Sequence, residues 1–349
     1  MILFRNLAKS FGSKHVLEGF SLEVDTSLGI TLYPEHGSDA ETLLQRADVA
    51  MYVAKHDGSG LIVYGPDQDF DHIRQLTIKG ELRNAIEQGL LDLAFQPKVH
   101  GATGRVVGAE ALLRWRHPEH GFIPPDEFAG VAEHSGLIRP LTQWVLETAL
   151  EQAARWRREG LPLGISVNIS ARNLLEDDLP SRLEAMIARH RLAPHLLTLE
   201  ITESVIMRDP DRSLETMLRI RELGIGIAVD DFGTGYSSLA YLMRLPVNEL
   251  KIDKSFVMNL DREAASTTIV RSTIDLAHKL GMQVVAEGVE SEAIWSRLRK
   301  LGCDLGQGYH FSRPVAAAEL LEFARRCRGS QPVPLAPVGG EGPTERPTC

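Results

Sequence analysis

The stretch Ile227-Ala-Val-Asp230-Asp-Phe-Gly-Thr-Gly-Tyr-Ser-Ser-Leu239 runs from an apolar, strand-like segment directly into two carboxylates and a loop that contains two glycines. A strand needs apolar residues to enter a core, and an unpaired charge is too costly to bury there. Five further strand-like runs end on or beside a polar residue, namely Glu110, Asn168, Glu200, Lys251 and Glu287. Six such ends in one domain predict a shared polar centre. Six unrelated strand ends that meet solvent are the alternative explanation.

Strand-like and helix-like patterns alternate between residues 78 and 328. The apolar runs lie at 91–97, 104–113, 162–169, 196–202, 224–230, 248–253, 282–288 and 304–311. Amphipathic stretches separate most of them, and helix-stop glycines such as Gly224 and Gly281 follow several of these stretches. Eight strands that alternate with helices predict an α/β fold, a (β/α)8 TIM-like barrel. An open doubly wound sheet is the competing topology, but it would bind its ligand at a single switch point.

Composition bounds the class of protein. The chain has 349 residues, 43% of them hydrophobic and 24% charged, which suits one large domain with a small annex or two medium domains. The net charge of −9 argues against a surface that coats a nucleic-acid polymer, although metal ions would still allow a small phosphorylated substrate. The three cysteines have no paired spacing, and the chain shows neither a membrane segment nor a signal-peptide pattern. A cytoplasmic location is therefore expected.

The candidate site contains only hard oxygen donors and one lysine. Such donors suit Mg²⁺ or Mn²⁺ better than Zn²⁺, because neither histidine nor cysteine belongs to the cluster. Crowded carboxylates repel one another unless cations neutralise them, so two metal ions are expected, with the adjacent pair Asp230 and Asp231 as the bridge. Two such ions serve displacement at phosphorus. Lys251, on the same face, is expected to stabilise negative charge and assist the attacking water.

The amino-terminal part of the chain is different in character. Residues 27–69 form a small α+β unit that resembles the carboxyl-terminal portion of a GGDEF diguanylate-cyclase domain, above all in Ala47-Asp-Val-Ala-Met-Tyr-Val-Ala-Lys55. The Gly-Gly-Asp-Glu-Phe motif is absent, which makes this unit a truncated remnant without the catalytic signature. Residues 1–26 are open to two interpretations. Arg5 to Val24 resembles the opening hairpin of an ABC-transporter ATPase subunit without its phosphate loop. Alternatively, residues 1–25 form a divergent strand and helix of the cyclase-like unit.

Residues 78–328 resemble an EAL domain, the family of cyclic di-GMP phosphodiesterases. Glu110-Ala-Leu-Leu-Arg-Trp115 is the family signature, and Val167–Ser170, Glu200–Glu203, Asp230–Leu239, Lys251–Asp253 and Glu287–Glu290 follow in the family's order. The resemblance implies hydrolysis of cyclic di-GMP to linear pGpG by water attack with two bound metals. The implied metal ligands are Glu110, Asn168, Glu200, Asp230, Asp231 and Glu287. The implied catalytic residues are Lys251, Glu110 and Glu287, and the implied substrate-binding residues are Gln96, Leu112, Arg114 and Gln307.

The resemblance also implies features beyond the metal site. Glu203 is expected to anchor the loop after Asp231, and a homodimer is expected through that loop and the following helix. Lys98, where the family usually has an aliphatic residue, and Pro140, at a helix start, depart from the pattern and are expected to affect substrate affinity at most. The rival hypothesis is a receptor that binds cyclic di-GMP with weak or no catalysis. Residues 329–349, rich in proline and glycine, are expected to be a disordered tail.

Overall fold

The computed structural model describes residues 2–11, 14–24, 27–56, 60–66, 78, 80–233, 239–260 and 264–329. The chain divides into two compact units. The first contains Met1–Gln88 and Ile123–Leu137, and the second contains Gly89–Phe122 and Ile138–Cys349. The predicted disordered tail lies outside the described residues, apart from Gly329 at its first position.

The first unit begins with an antiparallel hairpin, followed by a strand–helix–strand arrangement. The hairpin strands are β1 (Ile2–Phe11) and β2 (Lys14–Val24). β3 (Leu28–Ile30) and β4 (Leu61–Val63) pair in parallel, with α1 (Ala40–His56) between them in sequence. Asp39 begins α1 by accepting a hydrogen bond from the Thr42 backbone N–H at 2.8 Å. A side chain at Gly29 would lie 2.0 Å from the carbonyl oxygen of Ala47, so glycine is what lets β3 approach α1.

One interpretation expects a strand and a helix in residues 1–25, but no helix lies in the described residues 14–24. That segment forms the strand β2, because apolar and polar residues alternate from Phe20 to Val24 with the period of a strand. The first unit further contains a helical stretch over 80–88 and α2 (Pro125–Ser135).

The second unit contains a closed barrel of eight strands. In chain order they are β5 (Leu91–His100), β6 (Val106–His117), β8 (Gly164–Asn168), β9 (Leu197–Thr202), β10 (Gly226–Phe232), β11 (Glu249–Ile252), β12 (Gln283–Ala286) and β13 (Leu305–Gly306). The strands lie in the order β5-β13-β12-β11-β10-β9-β8-β6, and β5 pairs with β6 to close the ring. The predicted TIM-like barrel is thus confirmed. A short strand, β7 (Gly121–Ile123), follows β6 in the chain.

The first barrel strand runs against its neighbours. β5 is antiparallel to both β6 and β13, whereas the other neighbouring barrel pairs are parallel. A tight turn replaces the helix between β5 and β6, with the Gly104 backbone N–H donating to the carbonyl of His100 at 2.8 Å. Beyond β13, Val315 and Phe95 exchange two backbone hydrogen bonds of 2.8 and 3.0 Å. Residues near both ends of the barrel sequence therefore meet at β5.

The connecting helices alternate with most of the barrel strands, as the amphipathic stretches predict. They are α3 (Ile138–Arg158), α4 (Ala171–Leu174), α5 (Leu179–His190), α6 (Glu203–Ile206), α7 (Pro210–Glu222), α8 (Leu239–Leu242), α9 (Lys254–Met258), α10 (Ala264–Lys279), α11 (Glu292–Lys300) and α12 (Ala317–Gly329), with a 3-10 turn at Pro194–Leu196. Pro140 lies in the first turn of α3, where its missing N–H costs nothing. None of the helices in the described part of the chain is long and apolar enough to span a membrane.

Side chains alternate along the barrel strands between the apolar core and the barrel interior. Leu199 and Ile201 on β9 are buried in the apolar core, while Glu200 between them contacts two lysines. Glu110 and Lys251 likewise lie within strands rather than beyond their ends. The expectation that these charges mark the ends of strands is corrected here. Paired charges can be buried, so the strand continues past them.

Candidate functional site

The residues predicted for the site lie on or soon after all eight barrel strands. Gln96 is on β5; Glu110, Leu112 and Arg114 are on β6; Asn168 ends β8; Glu200 is on β9 with Glu203 just beyond; Asp230 and Asp231 are on β10; Lys251 is on β11; Glu287 and Gln307 directly follow β12 and β13. Most of these side chains converge in the barrel. Closure of the barrel brings together residues that are up to 211 positions apart, as in the hydrogen bond between Gln307 and Gln96.

Lys251 is the centre of the cluster. Its side chain is 1% exposed, and its Nζ lies 2.6 Å from Glu200 Oε2, 2.6 Å from Glu287 Oε1, 3.0 Å from Asp230 Oδ2 and 3.6 Å from Glu110 Oε2. Burial alone would lower the pKa of this ammonium, but the surrounding carboxylates raise that pKa well above its ordinary value. Lys251 is therefore protonated and balances part of the negative charge of the site.

One lysine cannot balance four carboxylates. Burial, reinforced by the neighbouring carboxylates, raises the pKa of Glu110 and Asp230 and raises that of Glu287 to about 8. Glu200 is the exception: despite its burial, its two lysine partners lower its pKa to about 2. The remaining excess of negative charge, carried by hard oxygen donors, fits a site for divalent cations.

Asp230, Asp231 and Glu287 form the part of the cluster best arranged to hold a cation. One carboxylate oxygen of each lies within 4.8 Å of the others. Asp231 has a backbone φ of +54°, in the left-handed region, and its N–H donates to Asp230 Oδ1 at 2.9 Å. This turn at the end of β10 is what brings two consecutive carboxylates to the same cluster, since side chains of neighbouring strand residues otherwise point to opposite faces.

A chain of amide groups fixes Glu110 on the other side of Lys251. Gln307 Nε2 donates to Glu110 Oε2 at 2.6 Å and to Gln96 Oε1 at 3.1 Å, and Asn168 Nδ2 donates to Glu110 Oε1 at 2.8 Å. Gln96 Nε2 in turn donates to the carbonyl of Ser312 at 3.2 Å. Both ends of the Gln96 amide are thus engaged within the protein, and its contact with the substrate stays a prediction.

The outer substrate residues are more exposed than Glu110, which lies on the same strand. Arg114 is partly exposed on β6, its Nη1 donates to the carbonyl of Leu113, and burial lowers its pKa. Leu112 is also partly exposed on the same strand. Glu203 begins α6 and is buried. The loop that Glu203 is predicted to anchor includes residues 234–238, which lie outside the described residues, so that role stays a prediction.

Two charged residues of the barrel interior were not assigned to the site from the sequence. Lys98 on β5 is buried, and its Nζ contacts Glu200 Oε1 at 2.9 Å and Glu249 Oε1 on β11. Lys98 thus contacts Glu200, a predicted metal ligand. Its expected effect on substrate affinity stays a prediction. The sequence shows Lys98 as a charge inside an apolar run. It does not reveal the partner, because Glu249 lies 151 positions away.

Comparison with known protein families supports the assignment of both segments. The EAL domain model matches residues 79–314, and the model of the diguanylate cyclase GGDEF domain matches residues 2–60. The second match includes most of residues 1–26, and the resemblance of that stretch to an ABC ATPase is not supported.

Curated relatives match most of this chain. The bifunctional diguanylate cyclase/cyclic di-GMP phosphodiesterase MucR of Pseudomonas aeruginosa is 40% identical over 321 residues, which are 91% of this chain and 47% of that protein. The cyclic di-GMP phosphodiesterase PdeR of Escherichia coli is 38% identical over 308 residues, covering 87% of this chain and 46% of that protein. The chain spans about half the length of these relatives.

Solved structures support the same family assignment. The PaMucR phosphodiesterase in complex with c-di-GMP is 43% identical, with a TM-score of 0.67, and the match covers 70% of this chain and 99% of that one. The EAL enzyme Bd1971 with cAMP and cyclic di-GMP bound is 31% identical, with a TM-score of 0.70 and coverage of 83% and 77%. The EAL domain model matches more than half of this chain, and the chain has an acidic site inside a barrel. The chain therefore belongs to the EAL domain family.

Proposed function

We propose that this chain hydrolyses cyclic di-GMP to linear pGpG. The observation that carries the proposal is the convergence of Glu110, Glu200, Asp230 and Glu287 within 3.6 Å of the Lys251 ammonium. An excess of buried carboxylates is costly without cations and useful with them. The relatives named as cyclic di-GMP phosphodiesterases support the same substrate.

The metal ligands we propose are Glu110, Asn168, Glu200, Asp230, Asp231 and Glu287, and the ions are two Mg²⁺ or Mn²⁺. Bound there, such ions supply an activated water and stabilise charge on phosphate oxygens. The oxygen donors and the negative charge of the cluster support this choice over Zn²⁺.

The protein's own groups have distinct parts in the proposed reaction. The Lys251 ammonium is held protonated at the base of the cluster, where it stabilises negative charge that develops on the phosphate and the attacking oxygen. Gln307 and Asn168 keep the Glu110 carboxylate in one orientation through hydrogen bonds of 2.6 and 2.8 Å. Arg114, partly exposed on β6, provides a planar guanidinium for a substrate phosphate. Leu112, beside it on β6, contacts the substrate as an apolar neighbour.

The direct test is to incubate the purified chain with cyclic di-GMP and Mn²⁺ and to separate the products by chromatography. We expect linear pGpG, no product after exhaustive chelation, and suppression by Ca²⁺, which accepts larger and less regular coordination shells. Asp230→Ala should abolish turnover, while Asp211→Ala, which removes an exposed carboxylate on α7, should not. Binding of cyclic di-GMP without any product would contradict hydrolysis and support the receptor hypothesis.

The assembly that we propose is a homodimer in the cytoplasm. Closed two-fold dimers are the commonest soluble assembly, and the loop after Asp231 starts directly at the acidic cluster. Metal occupancy and the dimer interface would then be coupled through that loop.

A further inference from the structure

Lys98 and Glu249 form a buried ion pair one layer deeper in the barrel than the Lys251 cluster. On β5, Lys98 follows Gln96 by two residues, and on β11, Glu249 precedes Lys251 by two. Because β5 runs antiparallel to β13, which shares the direction of β12 and β11, both steps lead away from the carboxyl ends of the parallel strands. The side chains of Lys98 and Glu249 are only 4% and 12% exposed.

Glu200 connects this deeper pair to the site above it. Its Oε1 lies 2.9 Å from Lys98 Nζ and its Oε2 lies 2.6 Å from Lys251 Nζ, so a different lysine holds each oxygen. The Glu200 side chain is itself fully buried. A carboxylate held at one oxygen from below cannot turn that oxygen towards the site.

Glu249 makes this arrangement electrically neutral. A lone lysine beside Glu200 would add a positive charge beneath the proposed cation site and oppose cation binding. Glu249 contacts Lys98 directly and cancels that charge, so Lys98 can hold Glu200 at little electrostatic cost to the site. Gly108, the register partner of Lys98 on β6, places no side chain beside the lysine on that strand.

We propose that Lys98 is a positioning residue, which holds Glu200 by one oxygen so that the other faces the cation site, and that Glu249 compensates its charge. The inference rests on the proposed function, because it assigns Glu200 to the metal site. Loss of a group that orients a metal ligand typically weakens metal affinity or activity about 10- to 100-fold.

The test compares three variants by Mn²⁺ titration calorimetry and thermal unfolding, each on the full chain. Lys98→Met should lower the unfolding midpoint, because Glu249 is then buried without its partner. The double variant Lys98→Met/Glu249→Leu should regain the midpoint of the unaltered protein, because apolar residues replace the whole pair. Its Mn²⁺ Kd should nevertheless stay about 10-fold or more above that of the unaltered protein. Lys279→Met, which removes an exposed lysine at the end of α10, should change neither quantity.

The double variant decides between positioning and mere charge compensation. Removal of both partners leaves the net charge of the barrel interior unchanged, so a weaker Mn²⁺ affinity reports the freed Glu200. If the double variant bound Mn²⁺ as tightly as the unaltered protein, Lys98 would only neutralise Glu249 and the inference would be overturned. If the unaltered protein bound no Mn²⁺, the proposed function would fall and the inference with it.

Discussion

At the scale of single residues, charge balance governs the site. In the described part of the chain, four carboxylates lie within 3.6 Å of the Lys251 ammonium, and Glu200 among them also contacts Lys98. The stability of the metal-free protein therefore depends on this one ammonium. A divalent cation bound nearby would take over part of its electrostatic role.

Substitution of Lys251 by methionine tests that dependence. Without metal, we expect Lys251→Met to destabilise the folded state by about 3–5 kcal/mol, because several buried carboxylates lose their shared partner. Added Mn²⁺ should recover more stability in this variant than in the unaltered protein, while the turnover of cyclic di-GMP stays strongly reduced. Thermal unfolding with and without Mn²⁺ and a product assay measure both effects. An unchanged turnover would remove Lys251 from the mechanism.

Substitutions of Asp231 distinguish the effect of its backbone conformation from its effect as a proposed metal ligand. Its φ of +54° is available to glycine at no cost, whereas alanine pays about 1–2 kcal/mol there. We expect Asp231→Gly to retain the stability of the fold but to weaken Mn²⁺ binding. Asp231→Ala should lose both stability and Mn²⁺ affinity. Denaturant unfolding measures the stability of the two variants, and Mn²⁺ titration measures their affinity. Equal stability of the two variants would show that the left-handed turn is not retained.

At the scale of secondary-structure elements, two backbone segments come very close just after the last barrel strand, β13. A side chain at Gly308, two residues after β13, would lie 2.2 Å from the backbone oxygen of Val289. Val289 also donates its backbone N–H to the carbonyl of Gln307 at 3.0 Å. This close contact holds Gln307 against Glu110, which links the local backbone packing to the acidic cluster.

Gly308→Ala should therefore disturb both packing and site. Because the clash is with backbone, no side-chain movement relieves it, and we expect a loss of about 1–3 kcal/mol in the free energy of unfolding. Gly164→Ala on β8 is the matched control, since a methyl group there would meet its nearest neighbour at 3.6 Å, an ordinary contact. Denaturant unfolding of both variants provides the measurement. A Gly308→Ala variant as stable as Gly164→Ala would contradict the close approach.

The elements also show what could be predicted from the sequence. The alternation of strands and helices, and the polar residues on the strands, were sufficient to predict the barrel and the group of residues that meets at Lys251. The direction of β5 was not predictable, because an apolar alternating run reads the same in either direction of pairing. The pair Lys98 and Glu249 was missed since the contact between β5 and β11 side chains exists only across a closed barrel. Burial of Glu200 within β9 was missed for the same reason, as its two lysine partners come from other strands.

At the scale of the whole molecule, the proposed homodimer would link the site to its surroundings. Glu203 is buried at the start of α6, directly after β9, which carries Glu200. The loop after Asp231 follows the neighbouring strand β10. An effect that passes from the metal site to a dimer interface would use these two adjacent strand ends.

Glu203→Ala tests this coupling because it removes a carboxylate outside the proposed ligand set. We expect lower turnover of cyclic di-GMP and weaker self-association, with the barrel still folded. Analytical ultracentrifugation over a range of concentrations, combined with the product assay, measures both. Glu215→Ala, on the outer helix α7, serves as a control for loss of a carboxylate alone. Full activity in a strictly monomeric protein would rule out the coupling while leaving the catalytic assignment in place.

The pairing of β5 with both β6 and β13 has a consequence for how the chain is made. A ribosome adds roughly 5–20 residues per second, so the barrel's first strand emerges on the order of 10–40 s before its last neighbour. During that interval β5 has one unpaired edge, which is the kind of edge that recruits other chains. An inward-facing charge on an edge strand discourages such pairing. Lys98 contacts Glu249 only once β11 has been added, so we expect this inward-facing charge to discourage such pairing while the chain is being made.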